Sequence, residues 1–331
     1  MMENIIGFLL LVLFNGILLK LFISRSRFLG LQDVPNQRSS HDYNVARGGG
    51  FVFAFNYLAC SFINGSFLSG LNAGLCLLFI IGLWDDVRNV KPLIRLIVQF
   101  ITVFCLLYDT AFDLSEGIIW ILILTILFSY LVNVFNFMDG INGMLGFYGI
   151  ALIIAVHFSI YQTPFSFYDP YVWVLGSLIA FLFYNARIHA KVFSGDVGSL
   201  TLSFLLLPMV FTVDMSLKDN ADNLNQLLFS ISCVSIFLMD SFTTILHRLL
   251  RRENIFESHR FHLYQMITPR FVRNHLVTAL GYSVIQLLVI ACSYHITTSI
   301  ESRLFLFAIL ALLFFLLRYL LLKHTTAYQG K

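Results

Sequence analysis

The sequence predicts an all-α, polytopic integral membrane protein of about 11 transmembrane helices, with its N-terminus periplasmic and its C-terminus cytoplasmic. Three observations carry this. Of the 331 residues, 58% are hydrophobic and only 12% charged, roughly half the charged fraction of a soluble globular protein. Long apolar runs follow one another with connections too short to hold a separate soluble fold, so residues 1–331 read as a single membrane-embedded domain. Finally, the basic residues collect in alternate gaps between the runs.

Stretches able to enter a hydrocarbon core roughly 30 Å thick lie at 4–22, 51–64, 72–84, 93–108, 117–135, 144–163, 171–185, 200–214, 226–247, 275–296 and 303–323. The first, IIGFLLLVLFNGILLKLF, follows Glu3 rather than a basic segment and lacks a small-residue cleavage site, so it is expected to be a retained helix and not a signal peptide. Residues 51–84 as one helix would be about 51 Å long at roughly 1.5 Å per residue. Asn64 and Gly65 offer a turn, and the stretch is read as two helices. The run 226–247 contains no Gly or Pro and reads as one helix. Cys60, Cys76, Cys105, Cys233 and Cys292 sit in or beside apolar runs without a CxxC pair, as small hydrophobes do.

Assigning alternate gaps to alternate sides leaves only Lys218 and Arg303, of 21 Lys and Arg, on the face that carries Asp109, Asp113, Glu116, Asp169, Asp214, Asp219, Asp222 and Glu301. The basic face is therefore expected to be cytoplasmic. A net charge of +3 implies no nucleic-acid partner; membrane lipids are the expected surroundings.

Five gaps on that face carry unusual polar sequence: DVPNQRSSHDYNVARGGG (33–50), WDDVRNVKPLIRLIVQ (84–99), NVFNFMDGING (133–143), NARIHAKVFSGDVGS (185–199) and HRLLRRENIFESHRFHLYQ (247–265). Asp85, Asp86, Asp139 and Asp196 stand at the cytoplasmic ends of different helices, where packing can bring them together. One such carboxylate is as readily a solvated helix end; four beside Asn or Gly point to a site. Carboxylates with few histidines suit Mg²⁺ or Mn²⁺ rather than zinc, and there is no HExxH motif. Asp85 and Asp86 point about 100° apart on a helix, so one is available to a metal and the other to a substrate group. Asn133, Asn136 and Asp139 recur every third residue, within about a third of a turn on one helical face.

Arg88, Lys91 and Arg95 follow the acidic pair, and Arg248, Arg251, Arg252, His259, Arg260 and His262 crowd the 247–265 stretch. Much of such a run serves as a positive-inside anchor, yet guanidinium groups beside a carboxylate-bound cation are also what a diphosphate requires. Arg47 and Gly48 open RGGG, whose backbone N–H groups are candidates to hold phosphate; close helix packing explains the glycines equally well. GDVGS lacks the lysine of a nucleotide-binding P-loop.

Taken in order, PNQRSSH with RGGG, DDVRNV with RLIVQ, NVFNFMDGING, FSGDVGS and HRLLRRENIFESHRFHLYQ resemble the polyprenyl-phosphate N-acetylhexosamine-1-phosphate transferases of glycosyltransferase family 4, over nearly the whole chain. The resemblance implies an Mg-dependent transferase in the bacterial inner membrane, with its active site facing the cytoplasm. It would transfer a sugar-1-phosphate from a UDP-activated amino sugar to undecaprenyl phosphate and release UMP. Asp85 and Asp86 match the family's aspartate pair, Asp139 the acid of its NFMDG motif, and Asp196 its magnesium-ligating aspartate. His259 and His262 match the histidine motif that faces the nucleotide-sugar. The segment with ENIFESHR and HLYQ is most similar to enzymes that start O-antigen or capsule repeat units. A homodimer is left open.

One departure is Asn142, where many relatives carry a second aspartate. A carboxylate there is expected to be dispensable, and Asn142→Asp to retain activity. The reading from another class is a cation- or proton-coupled transporter, favoured only by Asp240 deeper in the ninth run, which is otherwise expected to pair with Arg248 or to contribute to the site. Acids clustered at one interface and the lack of an internal repeat speak against it. A CDP-alcohol phosphotransferase is disfavoured because no DGxxAR-like motif is present.

Overall fold

The computed structural model describes residues 2–35, 43–109, 118–158, 166–211, 223–254 and 261–329. Helix α1 (Met2–Arg25) is apolar on nearly every side and leaves Leu9, Leu10, Leu13 and Ile17 exposed. Its attachment is polar: Asn15 and Asn56 exchange side-chain amide hydrogen bonds of 3.0 and 2.7 Å inside the fold. Two short strands follow, β1 (Gln32–Asp33) and β2 (Val45–Ala46), paired antiparallel.

Asn64 and Gly65 break the chain as their residue types predict. Helix α2 (Phe51–Ile63) ends at Asn64, Gly65 takes φ of 72°, and Ser66 N–H returns to Ser61 O at 2.9 Å. The Ser69 hydroxyl then accepts Asn72 N–H at the start of α3 (Gly70–Val87). Helices α4 (Pro92–Asp109), α5 (Ile118–Met138) and α6 (Met144–Val156) follow, then α7 (Pro170–Asn185), which has Pro170 in its first turn and Asp169 capping Tyr171 N–H at 2.8 Å.

At the centre is α8 (Gly195–Phe211), in which every residue from Val197 to Val210 is buried. It packs against α2, α3 and α5, so its N-terminus is surrounded by the ends of those helices. A helix apolar all round belongs in such a position.

The expected single helix over 226–247 is a bent pair, α9 (Asn223–Ser232) and α10 (Ser235–Leu250), meeting at 86°. With neither Gly nor Pro there, the break depends on tertiary partners. The Gln286 side chain donates to Ser232 O at 2.9 Å and accepts Ile236 N–H at 3.0 Å, replacing bonds that a continuous helix would make internally. A short α11 (Leu263–Ile267) leads through one π-helical turn into α12 (His275–His295), capped by Asn274, and α13 (Ile300–Gln329) ends the chain.

Among the described residues, five helices are long and apolar enough to cross a membrane, six if the bent pair is one span, and five further apolar helices are shorter. The architecture is that of an all-α, multi-pass membrane protein.

Candidate active site

The conformation of 43–50 is set by what lies beneath it. Arg47 N–H donates to Leu31 O at 3.0 Å, and Ala46 bridges to Val192, with Phe193 N–H donating to Ala46 O at 2.8 Å. Gly49 and Gly50 donate their N–H groups to Phe193 O and Ser194 O, both at 2.9 Å. These two amides are therefore committed to holding the RGGG segment on the entry to α8 and are not presented to a phosphate. A side chain on Gly50 would run into the Cα of Gly198, and Gly48, at φ of 94°, lies against Asp86 and Leu31. Gly49 and Gly50 are there for close approach, which leaves Gly48 as the RGGG glycine whose N–H is not committed to this packing.

The four aspartates have different surroundings. Asp86, whose side chain is 0% exposed, accepts Arg47 Nε–H at 2.7 Å, Asp196 N–H at 2.8 Å and Val197 N–H at 3.1 Å. It thus caps α8 from another helix, satisfying N–H groups that a helix start leaves open. Asp85 turns the other way, as adjacent helical positions must, and accepts Val90 N–H at 2.6 Å and Arg95 Nη1 at 2.5 Å. Asp196, in the first turn of α8, accepts Asn136 Nδ2 at 2.6 Å and Arg47 Nη2 at 2.5 Å, with Arg95 Nη1 at 3.6 Å. Asp139, just past α5, accepts the Ser194 hydroxyl.

The charges of Asp86 and Asp196 act on both Arg47 and Asp139. Burial works against the Arg47 cation, but Asp196 and then Asp86 outweigh it and hold the guanidinium above its ordinary pKa. Asp139 keeps some accessible surface but lies deep in the fold. Loss of surrounding water pushes its carboxyl up to about 8, the Ser194 bond opposing the rise and Asp196 adding to it.

The structure separates the other expected site residues. Asn136 joins the cluster, bonding Ser199 Oγ at 2.8 Å as well as Asp196. Asn133, one turn earlier, pairs instead with Gln99 of α4 at 2.7 Å and with Ser129 O at 2.8 Å, so it joins helices within the bundle. Arg88 and Lys91 are exposed and enter none of the ion pairs found among the described residues, whereas Arg95 reaches the acids. The Arg95 Nε–H is buried and has no hydrogen-bond partner among those residues. His259 and Arg260 lie outside the described residues.

His262 is buried, 3% exposed, with Nδ1 at 3.4 Å from Thr244 Oγ1 and 3.7 Å from Asp240 Oδ1. It belongs to a second polar cluster and not to the surface of the four-acid site. Asp240, which favoured a transporter, is the centre of that cluster: it accepts Leu263 N–H at 2.7 Å, Tyr264 N–H at 3.2 Å and Tyr282 OH at 2.7 Å, and lies 3.4 Å from Arg318 Nη2. Its cation is Arg318 and not the expected Arg248, which pairs with Glu253. Sequence reading missed Arg318 because it is an isolated charge in an apolar run; intramembrane isolation is itself the signal that could have found it.

No three acidic, histidine or cysteine side chains among the described residues are gathered closely enough to hold a metal ion as they stand. In donor type the set nonetheless fits a hard divalent cation, since the carboxylates of Asp86, Asp139 and Asp196 lie about the start of α8. Asp196, its side chain 12% exposed, is the open one; Asp86 is occupied with the α8 backbone.

Residues 68–214 match the family described as Glycosyl transferase family 4, and this stretch carries all four aspartates. The chain is 25% identical over 263 residues to the phospho-N-acetylmuramoyl-pentapeptide-transferase of Dictyoglomus turgidum, an alignment covering 70% of this chain and 80% of that one. It is 29% identical over 220 residues to the protein of the same name from Thermotoga maritima, covering 60% and 71%. With the undecaprenyl-phosphate alpha-N-acetylglucosaminyl 1-phosphate transferase of Thermotoga maritima the identity is 30% over 210 residues, covering 62% of each chain. The chain is thus a multi-pass membrane protein whose 68–214 stretch, with all four aspartates, is similar to the transferases of glycosyl transferase family 4.

Proposed function

We propose that this protein transfers a sugar-1-phosphate from a UDP-activated, N-acetylated amino sugar to undecaprenyl phosphate, forming undecaprenyl-diphosphate-sugar and UMP. In a bacterium this would be the first lipid-linked step of O-antigen, capsule or another cell-envelope polysaccharide. The single observation that carries the reading is the convergence of Arg47 and Arg95 with Asp85, Asp86 and Asp196 at the ends of α3 and α8. Named relatives acting on polyprenyl phosphates support it.

In the proposed reaction an oxygen of the lipid phosphate bonds to the sugar-bearing phosphorus of the UDP-sugar. The bond from that phosphorus to the oxygen bridging to uridylate breaks, and UMP leaves with that oxygen and its electron pair. Chemistry of this kind calls mainly for positioning and for neutralising charge. Arg47 and Arg95, with side chains 31% and 21% exposed, are placed to face phosphate oxygens. Asn136 orients the Asp196 carboxylate, and Asp86 holds the start of α8 in place. Bound Mg²⁺ or Mn²⁺, held by Asp196 with Asp139 as its neighbour, would supply further charge neutralisation at the diphosphate. The site is read as facing the cytoplasm from the inner membrane, in a chain of eleven spans.

The test is incubation of the purified protein with undecaprenyl phosphate and a panel of UDP-sugars, following UMP and the lipid product. Transfer from an N-acetylated amino sugar, lost in excess chelator and restored by Mg²⁺, is expected. Absence of UMP release with every donor would overturn the reading, and full activity in chelator would overturn the metal assignment.

A further inference from the structure

The second polar cluster is connected to the first through one side chain. Asp240 accepts the N–H groups of Leu263 and Tyr264 and so holds the start of α11. Arg318 donates to Phe261 O at 2.6 Å and Thr244 Oγ1 at 2.6 Å, and Tyr282 donates to Asp240. Three helices, α10, α12 and α13, therefore fix the backbone at 261–264. From that fixed backbone the wholly buried Tyr264 reaches across to α5 and donates its hydroxyl to Phe137 O at 3.0 Å.

Phe137 lies in the last turn of α5, where carbonyls lack an onward helical N–H. The Tyr264 ring also lies over Gly140: a Cβ there would meet the Tyr264 hydroxyl, and Cζ at 3.1 Å. Tyr264 thus touches the residues on both sides of the 138–139 step, and Gly140 is the residue whose lack of a side chain admits it.

We propose that Tyr264, held in place by Asp240, is a positioning residue that sets where Asp139 stands in the site; this rests on the reading of the protein as a transferase. The backbone at 261–264 and the acid at the end of α5 are then coupled through a buried side chain that need touch neither substrate.

The test compares Tyr264→Phe, Gly140→Ala and the double variant as full-length protein. Tyr264→Phe keeps the ring and loses one hydrogen bond. We expect kcat to fall about tenfold, below the roughly hundredfold attached to a 1 Å misplacement, with KM for both substrates and thermal stability little changed. Gly140→Ala should be more severe, and adding Tyr264→Phe should partly restore it, because the hydroxyl that meets the new methyl group is gone. Hydrogen exchange of amides 137–143 should quicken in Tyr264→Phe, with exchange elsewhere unaltered. The proposal is overturned by an unchanged kcat, a fall matched by lost thermal stability, a double variant no better than Gly140→Ala, or unaltered exchange over 137–143. Should the wild-type protein transfer no sugar, the functional reading fails and the exchange measurement still decides the clamp.

Discussion

Asp86 and Asp196 are 110 residues apart in sequence, and the carboxylate of the first accepts the backbone N–H of the second at 2.8 Å. Two acids of one cluster thereby take unlike parts. Asp86 closes the start of a central helix, and Asp196 is held with its carboxylate toward Arg47, Arg95 and Asn136.

The division predicts a split between stability and activity. In Asp86→Asn the amide retains one carbonyl acceptor where three donors converge, so a buried donor is left unsatisfied at a cost of about 1–3 kcal/mol. Thermal unfolding in detergent should show a lowered midpoint. Asp196→Asn leaves the cap intact and should unfold much as the wild type does, while UMP release falls on the order of a hundredfold or more. Equal loss of stability in the two variants would contradict the assignment.

Asn142 reverses an expectation. Its side-chain amide donates to Arg187 O at 2.7 Å in a buried position. An aspartate there, when ionised, has no proton to donate and would set a carboxylate oxygen against a carbonyl oxygen. Asn142→Asp should therefore lose about 1–3 kcal/mol of stability and some activity with it, contrary to the tolerance that sequence reading suggested. Unfolding midpoints of the two proteins measured side by side decide the matter.

At Gly195, φ is 72°, and a Cβ would approach the Gly48 Cα at 2.7 Å as well as the Asp86 carboxylate. Gly195→Ala should yield little folded protein, since backbone strain and collision act together. A methyl group on Gly281 in α12 would have nothing within 4 Å of it, so Gly281→Ala should be neutral or stabilising by up to about 1 kcal/mol. Recovery of monodisperse protein after detergent extraction is the readout.

The bend between α9 and α10 depends on Gln286, which bonds Ser232 O, Ile236 N–H and the Tyr148 hydroxyl. Gln286→Leu leaves the Ile236 N–H unpaired and takes the acceptor from the Tyr148 hydroxyl where water is scarce, while Ser232 O keeps the Ser235 hydroxyl; destabilisation of about 1–3 kcal/mol per lost partner is expected. Gln286→Glu keeps the acceptor and loses the donor, and its unfolding midpoint should fall between those of the wild type and the leucine variant.

The orientation drawn from the basic residues is open to a reporter test. A fluorescent protein that folds in the cytoplasm should be active at the C-terminus, and a phosphatase that folds only in the periplasm should be inactive there. The opposite pattern would mean that the basic partition reflects the substrate site and not the membrane topology.

The apolar runs, the break at Asn64–Gly65 and the gathering of acids at helix ends were legible in the sequence, because they follow from the cost of polar groups in hydrocarbon and from local turn chemistry. The five ordered motifs also sufficed to suggest the family. Which acid does what was not legible: helical spacing gives Asp85 and Asp86 different bearings, but only packing decides that Asp85 bonds Arg95 and Asp86 closes α8. The same holds for Asn133 against Asn136, separated by one turn but bonded to α4 and α8 respectively. RGGG could not announce that the amides of Gly49 and Gly50 were spent on Phe193 and Ser194, nor an unbroken apolar run that Gln286 would let it bend. Local sequence determines which segments leave water and where polar groups are available. The partner of each buried polar group is decided by packing between helices distant in sequence, since a hydrogen bond is worth making only where the fold brings donor and acceptor within about 3 Å.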